Sequence, residues 1–292
     1  MEGNGVGFVT ATATPPSAEK STGQVAAFFA IAASGFRRYA TYRQATIASA
    51  VTNTMFGFLK AYVLLAVAAA AAGGAGVVAG YDGAQLVLFV WVGQGMIGVV
   101  AFWGWTDLAD RIRTGEVVAD LLRPVPPVVS YLATDLGRAG HAMLTRFGLP
   151  ILVGLLAFDL YAPRRLGTYP LFAVSVVLAV VTSFGCRYVV NATAFWLLDI
   201  RGVQLAWLLV SGVLSGLYFP LRFLPGDVVT VLWLATPFPS LLQTPLDVLV
   251  ERDPPAVAAG LVGVQAAWAV AMLGLAQLVQ RRAERRLVIQ GG

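Results

Sequence analysis

Residues 84–103 read AQLVLFVWVGQGMIGVVAFW, a stretch without a charged side chain. As a helix it is about 30 Å long, the thickness of a bilayer's hydrocarbon core. A barrel strand would be about half as many residues and would alternate polar with apolar positions, and no such pattern is visible. Trp103 and Trp105 close the run, and indoles suit the membrane–water interface. Similar runs recur along the chain. They predict an all-α integral membrane fold with spans at about 47–72, 84–103, 140–160, 169–198, 203–219 and 256–280. A second register for the first span, 61–80, stays open because the Ala/Gly run continues.

Composition agrees. Of 292 residues, 58% are hydrophobic and 12% charged, against about 25% charged in a soluble domain. Mean hydropathy is +0.76. The net charge of +5 comes from Lys and Arg lying between apolar runs. That pattern fits orientation in a membrane rather than a nucleic-acid footprint. With both termini cytoplasmic, thirteen Lys and Arg fall inside and four outside, while Lys60, Arg146 and Arg187 lie within or near spans. The expected location is therefore the cell membrane, multi-pass, with both termini inside.

Residues 1–25 carry Pro15, Pro16 and scattered Ser, Thr and Gly, with no basic start leading into an apolar run. They read as a disordered cytoplasmic tail rather than a signal peptide. Residues 26–292 read as one transmembrane domain. In 26–45, Phe28, Phe29, Phe36, Tyr39 and Tyr42 mix with Arg37, Arg38 and Arg43, which predicts an amphipathic helix on the membrane surface. Residues 220–255 are too apolar for a loop, yet Pro237, Pro239 and Pro245 cut them into pieces too short to span. Two short helices dipping back into the outer leaflet are expected, a backbone tolerated only under cover of protein or a watery cavity.

Catalytic constellations are missing. Cys186 and His141 are the only residues of their types, so neither an intrachain disulfide nor a His-rich metal site can form, and no HExxH or Cys/His pair is seen. There is no G-x-x-x-x-G-K-[ST], so the chain cannot cradle ATP phosphates by a P-loop. Gly93, Gly95 and Gly98 spell G-x-G-x-x-G, but within a span the spelling reads as close helix packing rather than a dinucleotide site. Gly212 and Gly216, beside Ser211 and Ser215, predict a tight helix contact, within the subunit or across a dimer. Asn191-Ala192-Thr193 is a glycosylation sequon by spelling only, since it lies within a span.

Two cations fall at depth. Ser183, Arg187 and Asn191, spaced by four, share one helix face, and Ser49, Asn53 and Lys60 share another. Charges there are costly and turn toward protein or water. Two readings stay open: each cation bonds carbonyls or a buried acid, or the two faces line a translocation path.

Residues 107–124, DLADRIRTGEVVADLLRP, alternate charged and aliphatic residues, break at Gly115 and stop at Pro124. Val117, Val118, Leu121 and Leu122 fall at helical spacing with Glu116, Asp120 and Arg123 beside them. A short amphipathic helix between spans either lies on lipid or plugs into a soluble partner, and its mixed acids suit anionic lipid poorly.

Together with TYRQATIASAVTNTMFGFLK, FVWVGQGM, AFWLLDIRG, PFPSLLQTPLDV and the terminal RRLVIQGG, that segment makes the chain resemble the permease subunits of ABC-2-type ABC transporters, from about residue 36 to the end. The resemblance implies an N-terminal interface helix, a coupling helix within 107–124 and a re-entrant hairpin before the last span. It also implies a second permease, identical or related, and two separate P-loop ATPase subunits holding the ATP and Mg that this chain does not bind. The long N-terminal tail departs from the pattern. On this reading Asp107, Arg111, Arg113, Gly115, Glu116, Val117, Asp120, Leu121 and Arg123 form the coupling element, with Val117 and Leu121 filling a groove on the ATPase. The expected function is a membrane-embedded permease of an ATP-driven exporter for an amphiphilic or lipid-like substrate, itself not an enzyme. An ion-gradient-driven transporter is the alternative, disfavoured by the lack of an evident acid at mid-membrane. An intramembrane enzyme is less well supported.

Overall fold

The computed structural model describes residues 16–40, 43–71, 77–197 and 199–290. Residues 1–15 of the expected tail and positions 41 and 42 of the expected surface helix lie outside the described residues. The chain is built of α1 (Pro16–Ala40), α2 (Arg43–Ala71), a hairpin of β1 (Val77–Val78) and β2 (Tyr81–Asp82), α3 (Gly83–Val100), α4 (Asp107–Thr114), α5 (Val117–Leu121), α6 (Pro127–Thr145), α7 (Gly148–Ala157), α8 (Thr168–Ala192), α9 (Arg201–Leu214), α10 (Gly226–Ala235), α11 (Gln243–Leu249) and α12 (Pro255–Gln290).

Among the described residues, five helices are long and apolar enough to cross a membrane: Ala48–Ala70, Gly83–Val100, Pro127–Ala157, Thr168–Phe195 and Pro255–Arg286. The first follows the 47–72 register, not 61–80, because the chain turns into the hairpin at 77–82. The third begins at Pro127 rather than 140. It is broken where Arg146 N and Phe147 N both donate to Ala142 O, and α7 restarts at Gly148. The expected span 203–219 is the 14-residue α9, about 21 Å long and short of a ~30 Å core. Gly216, at φ 86°, turns the chain just beyond its end. A side chain rarely adopts that conformation.

The helix expected at 26–45 starts ten residues earlier, at Pro16, and ends at Ala40. It lies against α6 with backbones touching: a Cβ on Gly137 would sit 1.9 Å from Ala32 O, and one on Gly35 2.5 Å from Thr134 O. Phe36 meets His141 edge-on at 5.3 Å. One face of α1 is therefore committed to protein, while Val25 and Phe29 stay exposed.

The central helix is α3. Asp82 and Gln85 form a reciprocal capping box at its start, satisfying backbone donors that a helix end leaves open. Trp91 is fully buried, between Gly57 and Gly154, where added Cβ atoms would fall 2.8 and 2.6 Å from its ring. Gly95 and Gly98 face Phe147 and Arg146 with similarly little room. Gly95 and Gly98 of the G-x-G-x-x-G spelling are thus a packing surface against the α6–α7 break, while Gly93 meets Leu246 of α11.

The bundle has two distinct ends. At one, Arg252 donates to Ala79 O of the hairpin, and Glu251 and Asp253 O bond loop residues Arg164 and Arg165. At the other, loop 101–106 and α4 pack on the end of α8, where Asn191 donates to Trp105 O. The stretch 220–255 contains the two expected short helices, α10 and α11. Polar side chains satisfy its backbone: Leu221 N donates to Gln243 Oε1, and Gln265 of α12 donates to Ser240 O and Ser175 O.

Candidate functional site

The segment 107–124 is two short helices hinged at Gly115, whose φ of 78° places it in the left-handed region. Arg111 forms a fork on Asp120, with Nε to Oδ2 at 2.7 Å and Nη2 to Oδ1 at 3.0 Å, and reaches Glu116 at 3.2 Å. Such bidentate pairs fix geometry as well as add energy. Tyr131 of α6 donates its hydroxyl to Asp120 at 2.8 Å, and Arg38 of α1 bonds Asp107 at 2.7 Å. Leu108 and Val117 are buried with Val128, Phe184, Tyr188 and Ala276. The segment is therefore locked to α1, α6, α8 and α12.

This locking corrects part of the sequence reading. Val117 is 1% exposed and Asp120 5%, so neither is available to a partner; the hinge turns that side of α5 inward. The outward positions are Val118 and Leu122, the latter 82% exposed, one helical turn apart on the same face. Glu116, Arg113 and Arg123 are exposed around them, and Leu121 is half-buried.

Behind the segment lies a buried charge cluster. Arg187 Nη2 donates to Asp135 Oδ2 at 2.7 Å and its Nε to Ser183 Oγ at 3.2 Å. Arg138 Nε donates to Asp135 Oδ1 at 2.7 Å, and its two remaining nitrogens donate to Gly98 O and Val99 O, each at 2.8 Å. Ser183 donates to Val100 O at 2.9 Å. The cluster thus closes the carbonyl end of α3, where cations are favoured. Asp135 and Arg138 lie within the third candidate span, so Arg187 bonds a buried acid, one of the two readings its sequence position left open. The spacing by four of Ser183 and Arg187 and the i,i+3 spacing of Asp135 and Arg138 are the traces of the cluster in the sequence.

On the other expected face, Asn53 donates to Gln94 O at 3.1 Å, and Lys60 donates to Leu217 O and lies 5.9 Å from the Tyr218 ring. Ser49 lines a separate cavity of about 240 Å³ beside Arg138 and Arg146. The structure does not gather the two expected polar faces into one channel. Gly212 and Gly216 also part: Gly216 lies beyond α9, so they share no helix face. Gly212 accommodates the Tyr218 ring and Gly216 the Gln243 side chain.

At the far end, Glu251 accepts hydrogen bonds from Tyr161, Arg164 N, Arg165 N and Thr168, at 2.6 to 3.0 Å. Burial pushes its carboxyl up, but these donors outweigh burial and hold it at about 2, below the usual 4.5. A depressed carboxylate contributes stability above its unfolded pKa and loses it as pH falls through the folded value. Wild type is therefore expected to unfold at a higher temperature than Glu251→Gln at pH 6. The gap should narrow between about pH 4.5 and 2, as thermal unfolding in detergent would show.

No curated protein and no solved structure matches the chain. A family model described as ABC-2 family transporter protein matches residues 56–291. That match runs from α2 through residues 107–124, the charge cluster and the paired short helices to the end of α12, and the chain belongs to the ABC-2 family of transporter proteins.

Proposed function

We propose that the chain is the permease subunit of an ATP-driven exporter, moving an amphiphilic substrate and powered by a separate cytoplasmic P-loop ATPase bound at residues 107–124. The observation carrying this reading is the segment itself. It is tied to α1 by Arg38–Asp107, to α6 by Tyr131–Asp120 and to α6, α8 and α12 by its buried aliphatic side chains, and is braced within itself by Arg111–Asp120, yet it holds Val118 and Leu122 outward. A lever between polypeptides needs both properties: rigid attachment and an exposed apolar anchor ringed by charges that set orientation. A second permease copy or relative would complete the assembly, with lipid around it. The candidate path residues on α2 and α8 serve first to hold helices together. Asp135, already paired with two arginines, is a poor carrier for a coupling ion, which weighs against gradient-driven transport.

Six crossings result if α9 and the short elements after it make the fifth. Arg201 starts at the end of the bundle near the coupling segment, and Glu251 lies at the other. With Arg138, Arg281, Arg282, Arg285 and Arg286 inside candidate spans, the Lys/Arg count becomes eight inside against four outside, a bias of the same sign. Single cysteines in a Cys186→Ser background test this. In intact cells an impermeant maleimide is expected to label Leu166→Cys, an exposed loop position, and to miss Arg113→Cys and Arg285→Cys. Labelling of Arg113→Cys would put the coupling segment on the wrong side for cytoplasmic ATP.

A further inference from the structure

Loop 101–106 leaves a cavity of about 320 Å³ against α8 and α9, within the size range of ligand pockets. Its walls are mostly aromatic and aliphatic, including Trp103, Trp105, Leu205 and Leu208, with Arg187, Asn191 and Gln204 among them. Arg187 and Asn191 are each 2% exposed, yet Arg187 Nη1 and Asn191 Oδ1 have no hydrogen-bond partner among the described residues. The other polar atoms of both side chains are committed: Arg187 to Ser183 and Asp135, and Asn191 Nδ2 to Trp105 O and Arg187 O. Buried polar atoms left unpaired are rare and costly, most of all on a charged group.

Charge points the same way. One carboxylate, Asp135, faces two guanidinium groups. Arg146 lines the cavity on the opposite side of the loop, so the surroundings are net positive. The indole of Trp105 lies 5.7 Å from the Arg187 guanidinium. A water molecule would satisfy the open atoms but would leave the excess positive charge and the apolar volume unmatched. The cavity adjoins a wider one of about 540 Å³, with Thr106 and Gln204 lining both, and Asp110, Arg113, Asp199 and Arg201 lining the wider one.

We propose that this cavity binds an anionic amphiphile, its phosphate or carboxylate on Arg187 and its apolar chain along Trp105, Leu205 and Leu208. A hydroxyl on the same head group donates to Asn191 Oδ1. The inference names a substrate class for the transport reading and rests on that reading only for the movement of the ligand after it has bound. The occupant comes either from the surrounding bilayer or from the cargo presented at the coupling-segment end.

The test uses the purified full chain in phosphatidylcholine nanodiscs, without any ATPase, and measures binding of radiolabelled octyl phosphate against empty discs. Saturable binding is expected, with inorganic phosphate and octanol each competing at least about tenfold less well, since each supplies half of the recognition. Arg187→Gln and Leu208→Trp are each expected to weaken it by about tenfold or more. Leu208→Trp fills the cavity without touching an ion pair, so it decides the matter if Arg187→Gln does not fold. Displacement by phosphatidylglycerol mixed into the disc identifies the occupant as bilayer lipid; binding that persists identifies a cargo amphiphile. Non-saturable uptake equal to empty discs, unchanged affinity in a stably folded Leu208→Trp, or equal competition by inorganic phosphate would overturn the proposal. Because no ATPase is present, failure here leaves the coupling reading standing, and failure of coupling leaves this result standing.

Discussion

Asp135→Leu is expected to be the most damaging single substitution in the bundle, lowering stability by about 3–5 kcal/mol or more. The carboxylate is the shared partner of Arg138 and Arg187, at 2.7 Å from each, and all three side chains are buried. Removing it strands two guanidinium groups away from water, and an unpaired buried charge is far costlier than a missing pair. It also loosens Arg138 from the last carbonyls of α3. Arg187→Leu should do less harm, because Asp135 keeps Arg138. Val177→Ala, exposed on the same helix as Arg187, should do almost none. Thermal unfolding of the three variants in detergent ranks them; a stable Asp135→Leu protein would show that the cluster does not hold the helices together.

The second large effect is expected at the coupling face. Val118→Glu with Leu122→Glu should abolish ATP-driven transport while leaving the permease folded. Both side chains are exposed, so the change disturbs nothing inside the subunit. Apolar anchors at the centre of an interface contribute about 2 kcal/mol or more each, and losing even one weakens binding roughly 30-fold. Charge reversal is less clean here. Asp120→Arg would break the fork with Arg111 and the bond from Tyr131, so it tests the fold of the segment. Reversing Glu116 would likewise replace its 3.2 Å pair with Arg111 by a repulsion beside the fork.

The long apolar runs made the membrane fold legible, and the order of motifs pointed to the family. What escaped notice depended on partners far away in the chain. On sequence alone the third span starts at 140, because charges such as Asp135 and Arg138 end an apolar run. They are buried because Arg187, 52 residues from Asp135, reaches them from another helix. Helical spacing placed aliphatic residues on α5 but not its phase. Which of Val117 and Val118 faces outward is set by the Gly115 hinge and by the Arg111 fork. Gly212 and Gly216 carried the spelling of a helix contact, but only the positive φ at Gly216 shows that the helix has already ended.

The central claim is that a separate ATPase drives this permease through residues 107–124. It is tested most directly by purifying the wild type and the Val118→Glu, Leu122→Glu variant from the native membrane in mild detergent, at matched amounts, and quantifying bound P-loop ATPase. The account predicts ATPase bound in stoichiometric amount to the wild type and at least about tenfold less with the variant, at an unchanged unfolding temperature. A wild-type chain that carries no P-loop ATPase, or a folded variant that carries as much as wild type, would contradict it.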